Sequence, residues 1–431
     1  MFIKKKKILI IGSGAREHAI AKSLYSSKSL LYCFATNLNP GIFSLCIGYL
    51  IGNIKDIKYI TDFGIFFNVD FAIVGPELPL SLGIANSFNK AGIKIIGPVK
   101  ELARIESSKG FARDLLKKNN IPGLIKYKRF DKVNLETKKF LLELSEEYVI
   151  KSDGLEGGKG VKVANKDLFS HEEALKFCSN INGPFVIEEK INGLEFSLLS
   201  FSDGNTLQHM PIVQDYKRAY TNNLGPNTGG MGSYNDSNHK LYFLSSEDIN
   251  LAKKINELTI LALQKNCNCK YKGILYGGFI KSKNRIQLIE FNARFGDPEA
   301  INLLSILNTD FLDICYAIIN TSLHKLNIKF LNIATVVKYI VPNGYPNNSV
   351  QNGIIDLSYI NNDNSLFFGG VNQKNSKIIT TSSRAIGVLG KNINIMQAEQ
   401  EAEYMASKIF GPVFYRKDIG KFQHHIKTSI I

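Results

Sequence analysis

Lys7-Ile8-Leu9-Ile10-Ile11-Gly12-Ser13-Gly14-Ala15-Arg16-Glu17-His18 passes from an unbroken apolar run, through a glycine turn, into a helix start. A run without polar alternation predicts a strand buried on both faces, and the turn with a helix from about Glu17 predicts the first βα unit of a parallel sheet. The rhythm returns at Phe71–Val74 before Gly75-Pro76-Glu77, and at residues 93–96 before Gly97-Pro98. An N-terminal doubly wound sheet follows, with ligands expected outside the carboxyl ends of its strands, at residues 12–18 and 75–77. The glycine turn is not a dinucleotide fingerprint. Glu17 replaces the third glycine, and no acidic residue stands near positions 36–39 to hold a ribose hydroxyl. Backbone N–H groups at the helix start, with Arg16 beside them, suit a phosphate instead.

Outward from this unit, 431 residues exceed a single core and predict about three domains. Hydrophobic residues at 44% and charged residues at 21% exclude a disordered or fibrous chain. Lys+Arg 53 against Asp+Glu 38 leaves +15, which attracts nucleic acid, membrane surfaces and phosphorylated metabolites alike. The chain is rich in Lys, Asn and Ile throughout, so the excess reads as compositional bias and no nucleic-acid partner is expected. Six scattered cysteines make no disulfide framework and point to a reducing compartment. Cys33, Cys46, Cys178 and Cys315 read as small core side chains. Cys267 and Cys269 lack a second pair to complete a zinc site. The apolar run at residues 8–11 ends too soon for a signal segment or a membrane span, so a cytoplasmic location without membrane contact is expected.

The expected organisation is an N-terminal domain over residues 1–104, then a larger α+β subdomain over 105–122 and 189–328. A smaller one is inserted over 123–188, and a β-rich domain covers 329–431. A helix over 107–120 carries Lys109. Strands are expected at 148–151, 161–164 and 184–188, at 286–294, and at 334–341, 365–370 and 385–389, with a closing helix over 396–409. The Asn-rich stretches 346–351 and 361–364 read as turns.

Three stretches carry chemistry. Lys151-Ser152-Asp153-Gly154-Leu155-Glu156-Gly157-Gly158-Lys159-Gly160-Val161 lies between two strands. Glycine at this density is kept where backbone approaches or moves over a ligand, so the stretch reads as a flap with lysines over a triphosphate. It is no Walker loop, since neither Ser nor Thr follows the lysine and a strand comes next. In Glu290-Phe291-Asn292-Ala293-Arg294-Phe295 alternate residues share a strand face, which puts Glu290, Asn292 and Arg294 together. A carboxylate and an amide oxygen at that spacing suit Mg²⁺, and the guanidinium suits a carboxylate or phosphate. Gln214-Asp215-Tyr216-Lys217-Arg218 and the glycine-rich residues 225–232 complete an anion-handling set.

In their order, these motifs resemble the phosphoribosylamine–glycine ligase family of the ATP-grasp superfamily, from residues 10–18 through Val74-Gly75-Pro76-Glu77 to Tyr415-Arg416-Lys417-Asp418-Ile419-Gly420. The run Arg294-Phe295-Gly296-Asp297-Pro298-Glu299 is its most specific part. The resemblance implies an N-terminal doubly wound domain, paired ATP-grasp subdomains and a C-terminal β-rich domain. It implies ATP-driven joining of glycine to 5-phosphoribosylamine through glycyl phosphate, with Mg²⁺ or Mn²⁺, in a monomer. By the same resemblance Lys109, Lys151, Asp153, Gly154, Gly157, Gly158, Lys159 and Gly160 would bind ATP, with Glu189 and Ile191 at adenine and Glu195 at the ribose. Glu290 and Asn292 would hold the metal, and Arg294, Lys217 and Asp215 would surround glycine and the acyl phosphate. Gly12, Gly14, Arg16, Glu17, Gly75, Pro76 and Glu77 would border phosphoribosylamine. Glu156 stands where the family prefers alanine and is expected to face solvent. Tyr216 and Ile301 replace a histidine and a Gln or Met, and Ala15 replaces a small glycine.

Overall fold

The computed structural model describes residues 5–156, 160–283, 285–360 and 363–421. A five-stranded parallel sheet forms the N-terminal domain, in the spatial order Cys46–Ile51, Leu30–Ala35, Lys7–Ile11, Phe71–Val74, Lys94–Ile96. Ile8, Leu9, Ile10 and Ile11 are wholly buried, as a central strand covered on both faces must be. The strand order reverses beside Lys7–Ile11, so the turns at residues 12–14 and 75–77 open into the same crevice. Leu30–Ala35 and Cys46–Ile51 are additions to the sequence expectation.

The expected helix over 107–120 is two helices, Lys100–Ser107 and Lys109–Lys118. Ser108 breaks them with extended backbone and caps the second, accepting from Phe111 N at 3.1 Å. Lys109 therefore stands at a helix start. A four-stranded antiparallel sheet follows, in the order Tyr127–Phe130, Phe185–Glu189, Tyr148–Ser152, Val161–Val163. It packs on its own core, which includes Phe130, Phe140, Tyr148, Ile150 and Phe185, separate from the main one. A second antiparallel sheet joins Leu207–His209, Leu194–Asp203, Lys272–Lys281 and Ile286–Asn292. Its last strand ends at Asn292, two residues short of expectation, and the register shifts so that Gly278 faces Glu290 while Phe279 faces Leu288. Ile289 is the extra residue of a bulge.

The C-terminal sheet orders Gln214–Asp215, Gly232–Asn235, Ala334–Pro342, Ile386–Asn392 and Leu366–Phe368, with Val413–Phe414 also on Ala334–Pro342. Two of its strands thus come from a segment far upstream. The helix Ile395–Ala406 covers it. Residues 346–348 form turns as expected; 361 and 362 lie outside the described residues. All six cysteines are free, and Cys46, Cys267 and Cys269 are only half-buried.

Candidate active site

The strand Ile286–Asn292 builds the site. Phe291, Ala293 and Phe295 are buried, whereas Glu290, Asn292 and Arg294 on the alternate face stay partly open. Lys217 Nζ lies 3.4 Å from Glu290 Oε1, 3.8 Å from Glu195 Oε2 and 3.9 Å from Asp215 Oδ2. Lys217 holds the Glu290 carboxyl down at about 2, so it is fully ionised at neutral pH. Burial pushes Asp215 up to about 7. The Lys217 backbone is fixed by the glycine-rich loop: Thr228 donates to the Lys217 carbonyl from its N–H at 2.7 Å and its hydroxyl at 2.8 Å.

Behind Asn292 and Arg294 stands Glu106, a residue that the sequence reading did not single out. Glu106 Oε1 accepts from Arg294 Nη2 at 2.8 Å and Oε2 accepts from Ala293 N at 2.7 Å; the Asn292 amide is assigned with its nitrogen toward the acceptors around it, so that Nδ2 donates to Glu106 Oε1 at 3.0 Å. Burial drives its carboxyl up to about 7 against the pull of Arg294. A sequence signal existed. Glu106 shares the apolar face of its helix with Leu102, Ala103 and Ile105, and a carboxylate there needs a partner.

Lys151 reaches this floor from the smaller sheet. Its Nζ lies 2.8 Å from Glu188 Oε2 and donates to the Ile289 carbonyl at 3.2 Å. Arg113 grips Glu188 through both oxygens, at 2.7 and 3.0 Å, and donates to the Leu288 and Ile289 carbonyls at 2.9 and 2.7 Å. The bulge thus turns one carbonyl toward two cations, a use of bulges that strand pairing alone does not provide. Lys109 donates to the Gly154 carbonyl of the flap, and its burial lowers its ammonium pKa.

Several expected ligands serve structure in this form. Asp153 accepts from Gly110 N at 3.0 Å and Ser108 Oγ at 3.1 Å, and pairs with Arg129 at 3.3 Å, so its carboxylate is bound to the helix start. Glu195 turns toward Lys217. Glu189 and Ile191 are half-buried at the crossing between the two sheets. Gly154 and Gly160 lie in the flap; Gly157, Gly158 and Lys159 lie outside the described residues. Glu156 is exposed, as expected.

A cavity of about 370 Å³ lies where three parts of the chain meet, lined by Gly12, Gly14, Glu17 and Pro76 of the N-terminal domain, Asp297 beyond the strand Ile286–Asn292, and Arg384 of the C-terminal domain. Arg16 is 8% exposed, pairs with Glu17 Oε1 at 2.6 Å and donates to the Phe295 carbonyl at 3.2 Å. The Gly14 amide is taken by Glu17 Oε2, so that helix start does not present a bare phosphate nest. Gly75 makes room for the Glu17 carboxylate, and Glu77 pairs with Arg294 at 3.4 Å. Thr36, Asn37 and Arg384, which also line the cavity, were not among the sequence candidates. Tyr216 stacks under Arg416, 5.0 Å from its guanidinium. Ile301 is buried in the core. Ala15 has no positive φ.

Two antiparallel sheets meeting over a lysine-lined, acid-floored cleft, carried on a doubly wound domain, define an ATP-grasp ligase. Models of the phosphoribosylglycinamide synthetase N, ATP-grasp (A) and C domains match residues 6–106, 107–300 and 335–422 in turn. The chain is 43% identical to the phosphoribosylamine–glycine ligases of Methanococcus vannielii over 427 residues and Methanocaldococcus jannaschii over 428, covering 96% of this chain and of each relative. The solved phosphoribosylamine–glycine ligase of Thermotoga maritima superposes with a TM-score of 0.78 at 26% identity, covering 96% of this chain and 99% of that one. The chain belongs to the phosphoribosylamine–glycine ligase family, ATP-dependent enzymes of purine biosynthesis.

Proposed function

We propose that the acidic floor and the inter-domain cavity are the two halves of one ligation site, in which glycine becomes glycyl phosphate and then meets the amine of 5-phosphoribosylamine. A carboxylate oxygen leaves poorly, so the acid must be phosphorylated before an amine can displace it. Glu290 and Asn292 fit Mg²⁺ or Mn²⁺: one ionised carboxylate and one amide oxygen leave most positions to phosphate and water. When bound, the metal neutralises charge on the transferring phosphoryl group.

The remaining roles fall to the chain's own groups. Lys151 and Lys109 face the phosphates, and Lys109 leaves the Gly154 carbonyl as the flap closes. The 189–191 crossing holds adenine, and Glu195 takes the ribose. Arg294, Lys217 and Asp215 hold glycine and its acyl phosphate. Glu17 and the turns at 12–14 and 75–77 border phosphoribosylamine. The attacking amine is a nucleophile when neutral, so no Ser or Cys nucleophile is needed, and a closed flap keeps water from the acyl phosphate.

Six free cysteines accord with the cytoplasm, and among the described residues no helix is long and apolar enough to cross a membrane. The observation that carries the reading is the shared face of Glu290, Asn292 and Arg294 beside Lys217. The test is ADP release measured with each substrate left out in turn. Release that requires glycine, phosphoribosylamine and Mg²⁺ is expected; glycine-independent release ends the reading.

A further inference from the structure

We infer that Glu106 is a positioning residue that sets the direction of the metal-binding amide and the plane of the acyl-phosphate guanidinium together. The inference rests on Asn292 being a metal ligand. Glu106 comes from the helix Lys100–Ser107, ahead of both ATP-grasp sheets, and is 8% exposed. Its carboxylate engages three consecutive residues at the end of the catalytic strand: the side chain of Asn292, the backbone of Ala293 and the side chain of Arg294. Each contact fixes a different quantity.

A primary amide has a donor end and an acceptor end. With Nδ2 donating to Glu106 Oε1 and to the Phe291 carbonyl at 3.2 Å, Oδ1 of Asn292 has to point away from Glu106. An unanchored asparagine would present either end to a cation, and only one end binds it. Arg294 is pinned in the same way, with Nη2 on Glu106, Nη1 on the Phe295 carbonyl at 3.1 Å and Nε 3.4 Å from Glu77. The bond to Ala293 N locks the segment that leaves the strand. A hydrophobic residue would fill this space at no electrostatic penalty, whereas a buried carboxylate with three partners is costly to desolvate and serves to specify geometry.

Glu106→Gln keeps the shape but gives one oxygen position to an NH₂, so either the Ala293 contact or the shared contact to Asn292 and Arg294 is lost. Its Mn²⁺ affinity in the presence of ADP, read by electron paramagnetic resonance, should fall about 10–100-fold. ADP affinity in EDTA should stay within about threefold, and thermal unfolding within a few degrees. Mn²⁺ affinity within about twofold of the parent overturns the proposal. If E106Q does not fold, E106D, which keeps the charge but draws it back by a methylene, is read by the same criterion.

A swap tests the mechanism directly. N292D sets two carboxylates against each other, and E106Q/N292D restores a donor facing an acceptor at position 292 with the polarity reversed, while the Arg294 contact to that same atom stays lost as in E106Q alone. The double variant should bind Mn²⁺ at least about fivefold more tightly than the product of the single effects. Strict multiplication of the single effects overturns the positioning role. N292A separates this proposal from the reading beneath it: parental Mn²⁺ affinity in N292A removes Asn292 from the metal site, and the inference with it. Weakened binding in N292A with none in E106Q sinks only the role of Glu106.

Discussion

A Cβ at position 75 would lie 1.9 Å from Glu17 Oε1, and one at Gly12 would lie 2.9 Å from the same side chain. At both turns, glycine is needed for a buried carboxylate as much as for a substrate. Gly75→Ala should therefore displace Glu17 from Arg16 and Gly14. Overpacking of this kind destabilises by about 1–3 kcal/mol, so a thermal midpoint several degrees lower, with a raised KM for phosphoribosylamine, is expected. Glu156 is the opposite case. Exposed charges contribute about 0–1 kcal/mol, so Glu156→Ala should leave the KM for ATP within about fivefold in steady-state assays. Glu290→Ala should abolish turnover while the thermal midpoint moves only a few degrees, because the side chain lines a cleft and fills no core. Glu290, Asn292 and Arg294 were legible because strand alternation is a local rule. The pairing of Arg16 with Glu17 was not legible, because adjacency in sequence does not say which partner a guanidinium will take.

At the scale of elements, the clamp of Arg113, Glu188 and Lys151 ties the smaller sheet to the bulge at Ile289. Burial raises the Glu188 carboxyl, but Arg113 and Lys151 outweigh it and hold the pKa at about 2, against an ordinary 4.5. A pKa lowered by folding stabilises the native state above the unfolded value, and that contribution fades as pH falls toward the folded one. Glu188→Gln should cost about 3–5 kcal/mol at pH 7, since Arg113 is left buried without its counter-charge. The gap between parent and variant in urea unfolding should then narrow from pH 4.5 downward. A gap that is constant from pH 7 to pH 3 contradicts the ion pair. The bulge itself leaves only a faint trace in the sequence, a slip in the polar alternation at Leu288-Ile289 between Gln287 and Glu290, and the pairing with Lys272–Lys281 is what identifies it. Leu30–Ala35 escaped notice because no glycine turn directly follows it, as Gly12 follows Lys7–Ile11, to mark the end of its apolar run.

Across the whole molecule, the C-terminal domain completes the site as well as flanking it. Arg384 donates to the carbonyls of Gly229 at 2.8 Å, Gly230 at 3.0 Å and Asp297 at 2.8 Å, and stacks 4.5 Å over Tyr339. Arg384→Ala should raise the KM for phosphoribosylamine about 10–100-fold, the equivalent of losing a charged hydrogen bond of about 1.5–3 kcal/mol, while the KM for ATP stays within about threefold. Equal changes in both would show that the arginine supports the fold at large. The fold class, a parallel sheet followed by antiparallel ones, was legible from strand and turn rhythm, but this linkage was not. Gly232–Asn235 pairs with Ala334–Pro342 across a hundred residues, and nothing local announces such a partner. That pairing has a consequence during synthesis. The loop that fixes Lys217 gains its neighbouring strand and its arginine only after residues 334–342 and then Arg384 have been synthesised, so its full set of contacts is among the last to form on a growing chain.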